Sequence, residues 1–194
     1  METELCAAHA VLREEYRTLV RADATIAIPR GNEAMRSFYG QMIQTVVRWA
    51  EEVEGARQRA AYLALSDIWE RSRFRPSVLR LSGSAREIDD RFLAVVCDLT
   101  LTRGDGSGEH RRSAQVWNPA ENTFLPEKEI LRRWFGGKKA GDFGCRADGC
   151  YPENGGVVFF RNPHRGEPFS EIRKEIEKYL TKSQKNKEKD LQSE

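Results

Sequence analysis

The stretch Arg91–Thr102, RFLAVVCDLTLT, decides how the rest of this sequence is interpreted. It is rich in valine and leucine, which favour the extended, pleated backbone of a β-strand. The glycine-rich stretch 104–108, GDGSG, follows it and supplies the residue types that tight turns need. A second strand is predicted at His110–Trp117, so these three stretches together predict an antiparallel hairpin within a sheet.

The residues before this hairpin predict a strand and then a helix. Tyr16–Ile28 alternates between apolar and polar residues, which is typical of a half-buried strand. Asn32 is suited to cap a helix, and beyond it apolar residues recur at intervals of three and four. This spacing predicts one long amphipathic helix from 32 to about 74, either kinked at Gly55 or divided there into two.

The residues after the hairpin predict a short helix at 126–135, a strand at 157–161 and a closing amphipathic helix at 168–180. The predicted fold class is therefore α+β. We expect a mostly antiparallel sheet of four or five strands, packed in two layers on the long N-terminal helix and the C-terminal helix. Residues 1–13 are predicted as an N-terminal arm, 14–180 as a single domain and 181–194 as a disordered charged tail.

Composition limits the classes of partner and location. Charged residues make up 32% of the 194 residues, yet the formal net charge is only +2, which does not favour nucleic acid. The N-terminus is acidic and lacks the apolar core of a signal peptide. No stretch approaches the roughly 18 apolar residues of a membrane helix. We therefore expect a cytoplasmic protein with no membrane span and no nucleic-acid partner.

Several stretches resemble the C-terminal domain of the RsiV-type anti-sigma factors, which also accompanies PdaC-like N-terminal modules in secreted clostridial and bacillar proteins. The order of elements agrees over about 150 residues. The similar stretches are Ala27–Tyr39, Leu93–Thr102, Val116–Leu131, and Gly155–Phe160 with the residues after it.

Two departures from that family's pattern limit what the resemblance implies. The family's Gly-Gly-Ala-His-Gly turn is replaced by Gly104–His110, and its long insertion before the final strand is shortened to the loop Cys145–Cys150. The resemblance implies an α+β fold and a binding role. RsiV itself senses lysozyme outside the cell and restrains a sigma factor through a separate segment, which has no visible counterpart here.

Four residues are candidate binding residues. Glu109 and His110 are candidates for an acid/base pair at the end of the hairpin turn, although a solvated turn with a charged strand start is the favoured interpretation. Trp117 is expected on the hairpin face opposite Val116, where an exposed tryptophan would mark a binding surface. His164 lies in a predicted turn, as a surface residue or a ligand.

The pair Cys145 and Cys150 has the spacing C-x4-C in a glycine-rich loop. It could provide half of a zinc site completed by His164 or Cys97, since zinc takes four nitrogen or sulfur ligands. A local disulfide and two plain thiols are the alternatives. We expect Cys97 to be a buried, unreactive thiol in its strand.

These observations favour a non-catalytic binding or regulatory domain whose ligand is a protein or a molecule related to the cell wall. Two alternatives remain open at this point. One is a small hydrolase-like enzyme that uses His110 or His164, and the other is a domain stabilised by zinc through Cys145 and Cys150. No cofactor is otherwise expected.

Overall fold

The computed structural model describes residues 1–143, 146–153, 156–164 and 167–175. Most of this part of the chain forms β-strands in two sheets. The first sheet contains β1 (Thr3–Glu14), β2 (Arg17–Pro29), β3 (Ser77–Asp89), β4 (Phe92–Thr102), β5 (Gly108–Asn118) and β6 (Thr123–Phe124), in that order. The second contains β7 (Gly149–Glu153), β8 (Gly156–Arg161) and β9 (Ser170–Glu175).

The helices are short apart from the first. They are α1 (Glu33–Trp49), α2 (Gly55–Leu63), α3 (Ile68–Ser72) and α4 (Glu127–Phe135), with a π-helical turn at Ala50–Glu54 between α1 and α2. As predicted, Asn32 caps α1, because its side-chain oxygen accepts a hydrogen bond of 2.9 Å from Met35 N. The left-handed Gly136 ends α4.

The chain divides into two compact units. Unit 1 comprises Met1–Arg86 and Val95–Ser113, and unit 2 comprises Glu87–Ala94 with the described residues from Ala114 onward. In unit 1, β2 pairs antiparallel with β1 and parallel with β3, and α1 lies between β2 and β3 in the chain. A parallel pair needs such a crossover, which the helical segment provides.

The core of unit 1 lies on one face of β1, β2 and β3, and α1 packs against the β1 and β2 part of this face. Its members alternate along each strand and recur every four residues along α1. They include Cys6, Ala22, Ala24, Ile26, Leu79, Met35, Tyr39, Ile43 and Val47. The core of unit 2 is a separate apolar cluster formed by Phe92, Val116, Ile130, Leu131, Phe135, Cys150, Val157 and Phe159.

The predicted α+β class is wrong, because the protein is mostly β and does not consist of one sheet packed on helices in two layers. One reason is the segment 1–13, predicted as an arm, most of which belongs to the outermost strand β1. Its buried residues Cys6 and Ala10 are both even-numbered, as expected when one face of a strand is buried. The alanines between them weaken the alternation of apolar and polar residues, which hides the strand.

The predicted closing helix 168–180 is also wrong over its described part, since Ser170–Glu175 forms β9. Phe169, Ile172 and Ile176 have helical spacing in the sequence. Pairing with β8, which sets Phe159 opposite Ile172, prevails over that local pattern. Residues 176–180 and the predicted tail 181–194 lie outside the described residues, and the limits 14 and 180 of the domain stay a prediction.

The predicted helix 32 to about 74 does not run to its predicted end. Helical structure continues through the π-helical turn to Leu63, stops at 64–67 and resumes for the five residues of α3. Gly55, directly after the π-helical turn, packs closely against β1, because a Cβ atom at this position would lie 2.5 Å from Leu12 Cδ2. This position therefore accepts only glycine without displacement of Leu12.

Candidate functional site

The two faces of the β4–β5 hairpin carry different kinds of side chain within unit 1. Successive residues of a strand point to opposite faces. Asp98, His110 and Arg112 share one face, which we call the polar face. Leu99, Leu101, Glu109 and Arg111 share the other, which continues from the core face of β3 and which we call the groove face.

On the polar face, Asp98 is the common acceptor of a cross-strand network. Its Oδ1 lies 2.9 Å from His110 Nε2 and accepts a 2.8 Å hydrogen bond from Arg112 Nε. Its Oδ2 accepts a second bond of 2.9 Å from Arg112 Nη2, so the arginine binds the carboxylate with two parallel bonds. Burial raises the pKa of Asp98, but the hydrogen bonds from Arg112 and His110 outweigh it and leave the pKa lowered.

The polar face carries a second aspartate–histidine pair. His9 Nδ1 lies 2.9 Å from Asp23 Oδ1, across the β1–β2 pair. Both side chains are largely exposed, unlike Asp98, whose side chain is 30% exposed. Aspartate–histidine pairs are therefore a repeated cross-strand contact on this face, which does not single out His110 as part of a reactive site.

The groove face contains an open apolar groove with a volume of about 240 Å³. It is lined by Trp49, Leu79, Leu99, Leu101, Glu109 and Arg111. Trp49 ends α1 and is 40% exposed, and Leu99 is half-buried. The groove therefore lies where α1 no longer covers the sheet, so apolar side chains remain in contact with water.

The charged rim of the groove is only partly neutralised. Glu109 accepts a hydrogen bond of 2.8 Å from Arg103 Nη2, and this bond, with the nearby positive charges, lowers the pKa of Glu109 despite partial burial. Arg111 reaches Glu109 only through a 3.5 Å contact, and its side chain is 64% exposed. Its guanidinium consequently has donors available for a carboxylate ligand.

A buried carboxylate lies beneath the same region. Glu54, at the end of the π-helical turn, accepts hydrogen bonds of 2.7 Å from Ser77 Oγ and 2.9 Å from Gln58 Nε2. Arg103 Nε lies 3.7 Å from Glu54, so this arginine is close to both Glu54 and Glu109. These contacts fasten the hairpin loop to the helical segment and hold the rim of the groove in place.

The structure separates the residues that the sequence singled out. Glu109 and His110 do not form a pair, because adjacent residues of β5 point to opposite faces. Trp117 is buried, not exposed, and its ring centroid lies 4.0 Å from that of Phe124 in unit 2. His164 is exposed in unit 2, where its backbone pairs with Glu167.

The predicted cysteine site is only partly within the described residues. Cys145 lies outside them. Cys150 is a free thiol in the apolar cluster of unit 2, and burial raises its pKa to about 12. Cys97 is a buried thiol, as predicted, with its pKa likewise raised by burial to about 12. Among the described residues, no group of three or more histidines, cysteines and carboxylates is arranged to hold a metal ion.

Two features of the hairpin faces were not singled out in the sequence. Asp98 was passed over as part of an apolar strand, although counting back from the Arg103–Ser107 turn along both strands sets it opposite Arg112. Trp49 lies beside the apolar stripe of α1, whose buried members include Tyr39, Ile43 and Val47. A tryptophan beside that stripe gives no sequence signal that its ring meets an open part of a sheet.

The fold is that of a class of bacterial domains seen in solved structures. A crystal structure of a DUF3298 family protein from Pseudomonas aeruginosa PAO1 is similar, with a TM-score of 0.55, 12% identity and 89% of each chain covered. A DUF3298 family member from Bacteroides fragilis NCTC 9343 has a TM-score of 0.53 and 9% identity, covering 90% of this chain and 91% of its own. No family model and no curated protein matches the sequence.

These structures share the fold of this chain, and their names state no ligand or activity. The similarity agrees with a domain of the DUF3298 type at the level of fold. Within the described residues, every helix is too short or too polar to cross a lipid bilayer.

Proposed function

We propose that this protein is a non-catalytic binding domain, of the type that the RsiV resemblance implies, which binds a segment of another protein in the groove of unit 1. The carrying observation is the groove itself, where Trp49 and Leu99 meet water beside the cationic Arg111. Tryptophan and arginine are the residues most often responsible for binding energy at protein interfaces.

The size of the groove favours a side chain as the bound group. Sites for cofactors and other small molecules enclose about 300 to 1,000 Å³. The groove, at about 240 Å³, is smaller than this range and has an apolar floor formed by Leu79, Leu99 and Leu101. It therefore suits one aliphatic or aromatic side chain, with a neighbouring carboxylate bound by Arg111.

Titration of the protein with synthetic peptides tests this proposal. The first peptide carries a leucine followed by two aspartates, and the second carries lysines in place of the aspartates. We expect the acidic peptide to shift the NMR signals of the Leu99 and Leu101 methyl groups and of the Trp49 indole. The basic peptide should bind more weakly, because Arg111 repels it.

Two tryptophan variants provide the matched comparison. Trp49→Ala should weaken the acidic peptide about tenfold or more, since truncation of a central aromatic residue commonly costs more than 1 kcal/mol. Trp69→Ala should leave binding unchanged, because Trp69 is 70% exposed on α3 and does not line the groove. Equal losses in both variants would contradict the proposal. Binding of soluble peptidoglycan fragments in place of the peptide would move the ligand to the cell-wall class.

Hydrolysis is a second candidate because Asp98 lies 2.9 Å from His110, as in the pairs that orient a catalytic base. The two hydrogen bonds that Arg112 donates to the same carboxylate favour a structural role for Asp98 instead. A p-nitrophenyl ester assay separates the two candidates. We expect no ester hydrolysis that depends on His110, and a rate lost specifically in His110→Gln would favour the enzyme.

A further inference from the structure

The outer edge of β1 is a second surface with defined chemistry, separate from the groove. β1 is the first strand of its sheet and pairs with β2 along its whole length. Within residues 1–143 and the other described ranges, no strand pairs with its opposite edge. Leu5, near one end of this edge, is 72% exposed.

The backbone direction identifies which residues of β1 face that open edge. Arg30 N donates to Glu2 O at 3.0 Å, and the pairing continues through Cys6 with Ile26 and Ala10 with Ala22. In an antiparallel ladder, alternate residues bond to the same neighbour. The even-numbered residues therefore bond to β2, and the odd-numbered residues present N–H and C=O groups to the open edge. These are Thr3, Leu5, Ala7, His9 and Val11.

This edge lacks the features that normally protect an edge strand. The segment Leu5–Val11, LCAAHAV, contains no lysine, arginine, carboxylate, glycine or proline. The one irregularity of β1 lies beyond it, between Leu12 and Arg13. Native proteins usually block exposed edges with charges, proline or bulges, because an unprotected edge pairs with another strand.

Beside this edge, α1 leaves space for an added strand. A groove of about 220 Å³ runs between them, lined by Glu4, Leu5, Cys6, Ala7, Arg36, Gly40, Ile43 and Gln44. A Cβ atom at Gly40 would meet nothing within 4 Å. The bidentate contact of Arg36 with Glu4 neutralises the one carboxylate in the groove, so no unpaired negative charge opposes an incoming apolar strand.

The sequence of β1 is complementary to itself in the antiparallel direction. When the two-fold axis passes beside Ala8, Leu5 lies opposite Val11 of the second copy, and Ala7 lies opposite His9 of the second copy. Each of these pairs joins two odd-numbered residues, so the outward N–H and C=O groups of both strands bond to one another. The exposed Leu5 is covered in the same step. A two-fold interface needs a surface of this self-complementary kind.

We propose that two copies of this protein associate through antiparallel pairing of their β1 edges, centred on Ala8. The pairing joins the two β1–β6 sheets into one continuous sheet. The partner at the edge is thus a second copy of the chain. The groove face of each copy takes no part in the pairing.

Sedimentation of the wild-type protein and of two edge variants tests this proposal. We expect a dimer when the protein concentration is raised to about 200 µM, and we expect it to dissociate on dilution. Ala7→Pro removes only an outward N–H and leaves the bonds to β2 intact. Leu5→Lys places a charge on the edge, and both variants should weaken the dimer about tenfold or more. Leu63→Lys is the matched control, because Leu63 is similarly exposed at the end of α2.

Cysteine cross-linking tests the register. In the variant Cys6→Ala/Ala8→Cys, the two residues at the axis form a non-hydrogen-bonded pair with Cα atoms about 4.5 Å apart. A disulfide accepts that spacing, so a covalent dimer should form on mild oxidation. Cys6→Ala/Ala10→Cys should not form it, and neither should Cys6→Ala alone. A wild-type monomer at all concentrations, or a dimer indifferent to Ala7→Pro and Leu5→Lys, overturns the proposal.

Discussion

The two faces of the β4–β5 hairpin differ in how completely their side chains are satisfied. On the polar face, the carboxylate of Asp98 binds Arg112 and His110, and all of these contacts lie within 2.9 Å. On the groove face, Trp49 and Leu99 meet water and Arg111 has only a 3.5 Å contact. The groove proposed as the binding site is therefore marked by unsatisfied surface, whereas the titratable residues of the polar face are already satisfied by one another.

Among the substitutions that test this difference between the two faces, the largest effect is expected at Asp98. Asp98→Ala should lower the free energy of unfolding by about 2 to 4 kcal/mol, because Arg112 loses the carboxylate that accepts two of its hydrogen bonds at a site of low exposure. Asp23→Ala removes the corresponding partner of His9 on the exposed part of the same face. It should cost less than about 1 kcal/mol, as exposed ion pairs do.

Urea denaturation of the two variants measures the difference. Peptide binding in the groove should be unchanged in both, since neither residue lines it. Similar losses of stability in the two variants would show that the Asp98 network is an ordinary surface contact. Loss of binding without loss of stability in Asp98→Ala would move the ligand site to the polar face.

Stability at acid pH tests the same difference between the two faces, because it depends on the charge of Asp98. Its pKa in the folded protein is below its ordinary value of 3.8, so the ionised carboxylate stabilises the fold. That contribution is complete above the ordinary pKa and is lost as the pH falls through the lowered one. The stability difference between wild type and Asp98→Asn should thus be constant near neutral pH and shrink below about pH 4.

Urea unfolding at a series of pH values from about 6 to about 2.5 gives this difference directly. A difference that stays constant to the lowest pH would mean that the charge of Asp98 contributes nothing beyond the hydrogen bonds which asparagine retains.

The sequence predicted those elements whose local pattern and tertiary pairing agree. β2 alternates apolar and polar residues, so it was predicted close to its observed limits, and the Asn32 cap with the helical spacing after it predicted the start of α1 but not its end. β1 and β9 were missed for opposite reasons. β1 has too many alanines to show its period, whereas 168–180 shows a helical period that pairing with β8 overrides in its described part.

The proposed site was harder to predict than the fold because it depends on which face each side chain occupies. Glu109 and His110 were joined as neighbours, although the two-residue period of a predicted strand already assigns them to opposite faces. Trp117 was expected to be exposed on the face opposite Val116, but the two-residue strand β6 brings Phe124 against it. Such a short strand leaves no periodic signal, so its effect on Trp117 was not predictable.

The smallest expected effect lies at the rim of the groove and tests whether the groove face acts through its ligand. Glu109→Gln replaces the carboxylate that binds Arg103 with a neutral amide. Because the Glu109 side chain is 43% exposed and Arg103 keeps its contact with Glu54, the free energy of unfolding should fall by less than about 1 kcal/mol.

Binding should respond in the opposite direction. The substitution adds one positive charge to the rim beside Arg111, so the acidic peptide should bind about twofold to threefold more tightly and the basic peptide more weakly. Asp23→Asn makes the same change of charge on the polar face and should leave both affinities unaltered, which NMR titration can establish. An equal gain in the two variants would show that only the overall charge matters, because a change on the polar face can reach the groove only through the long-range field of the protein.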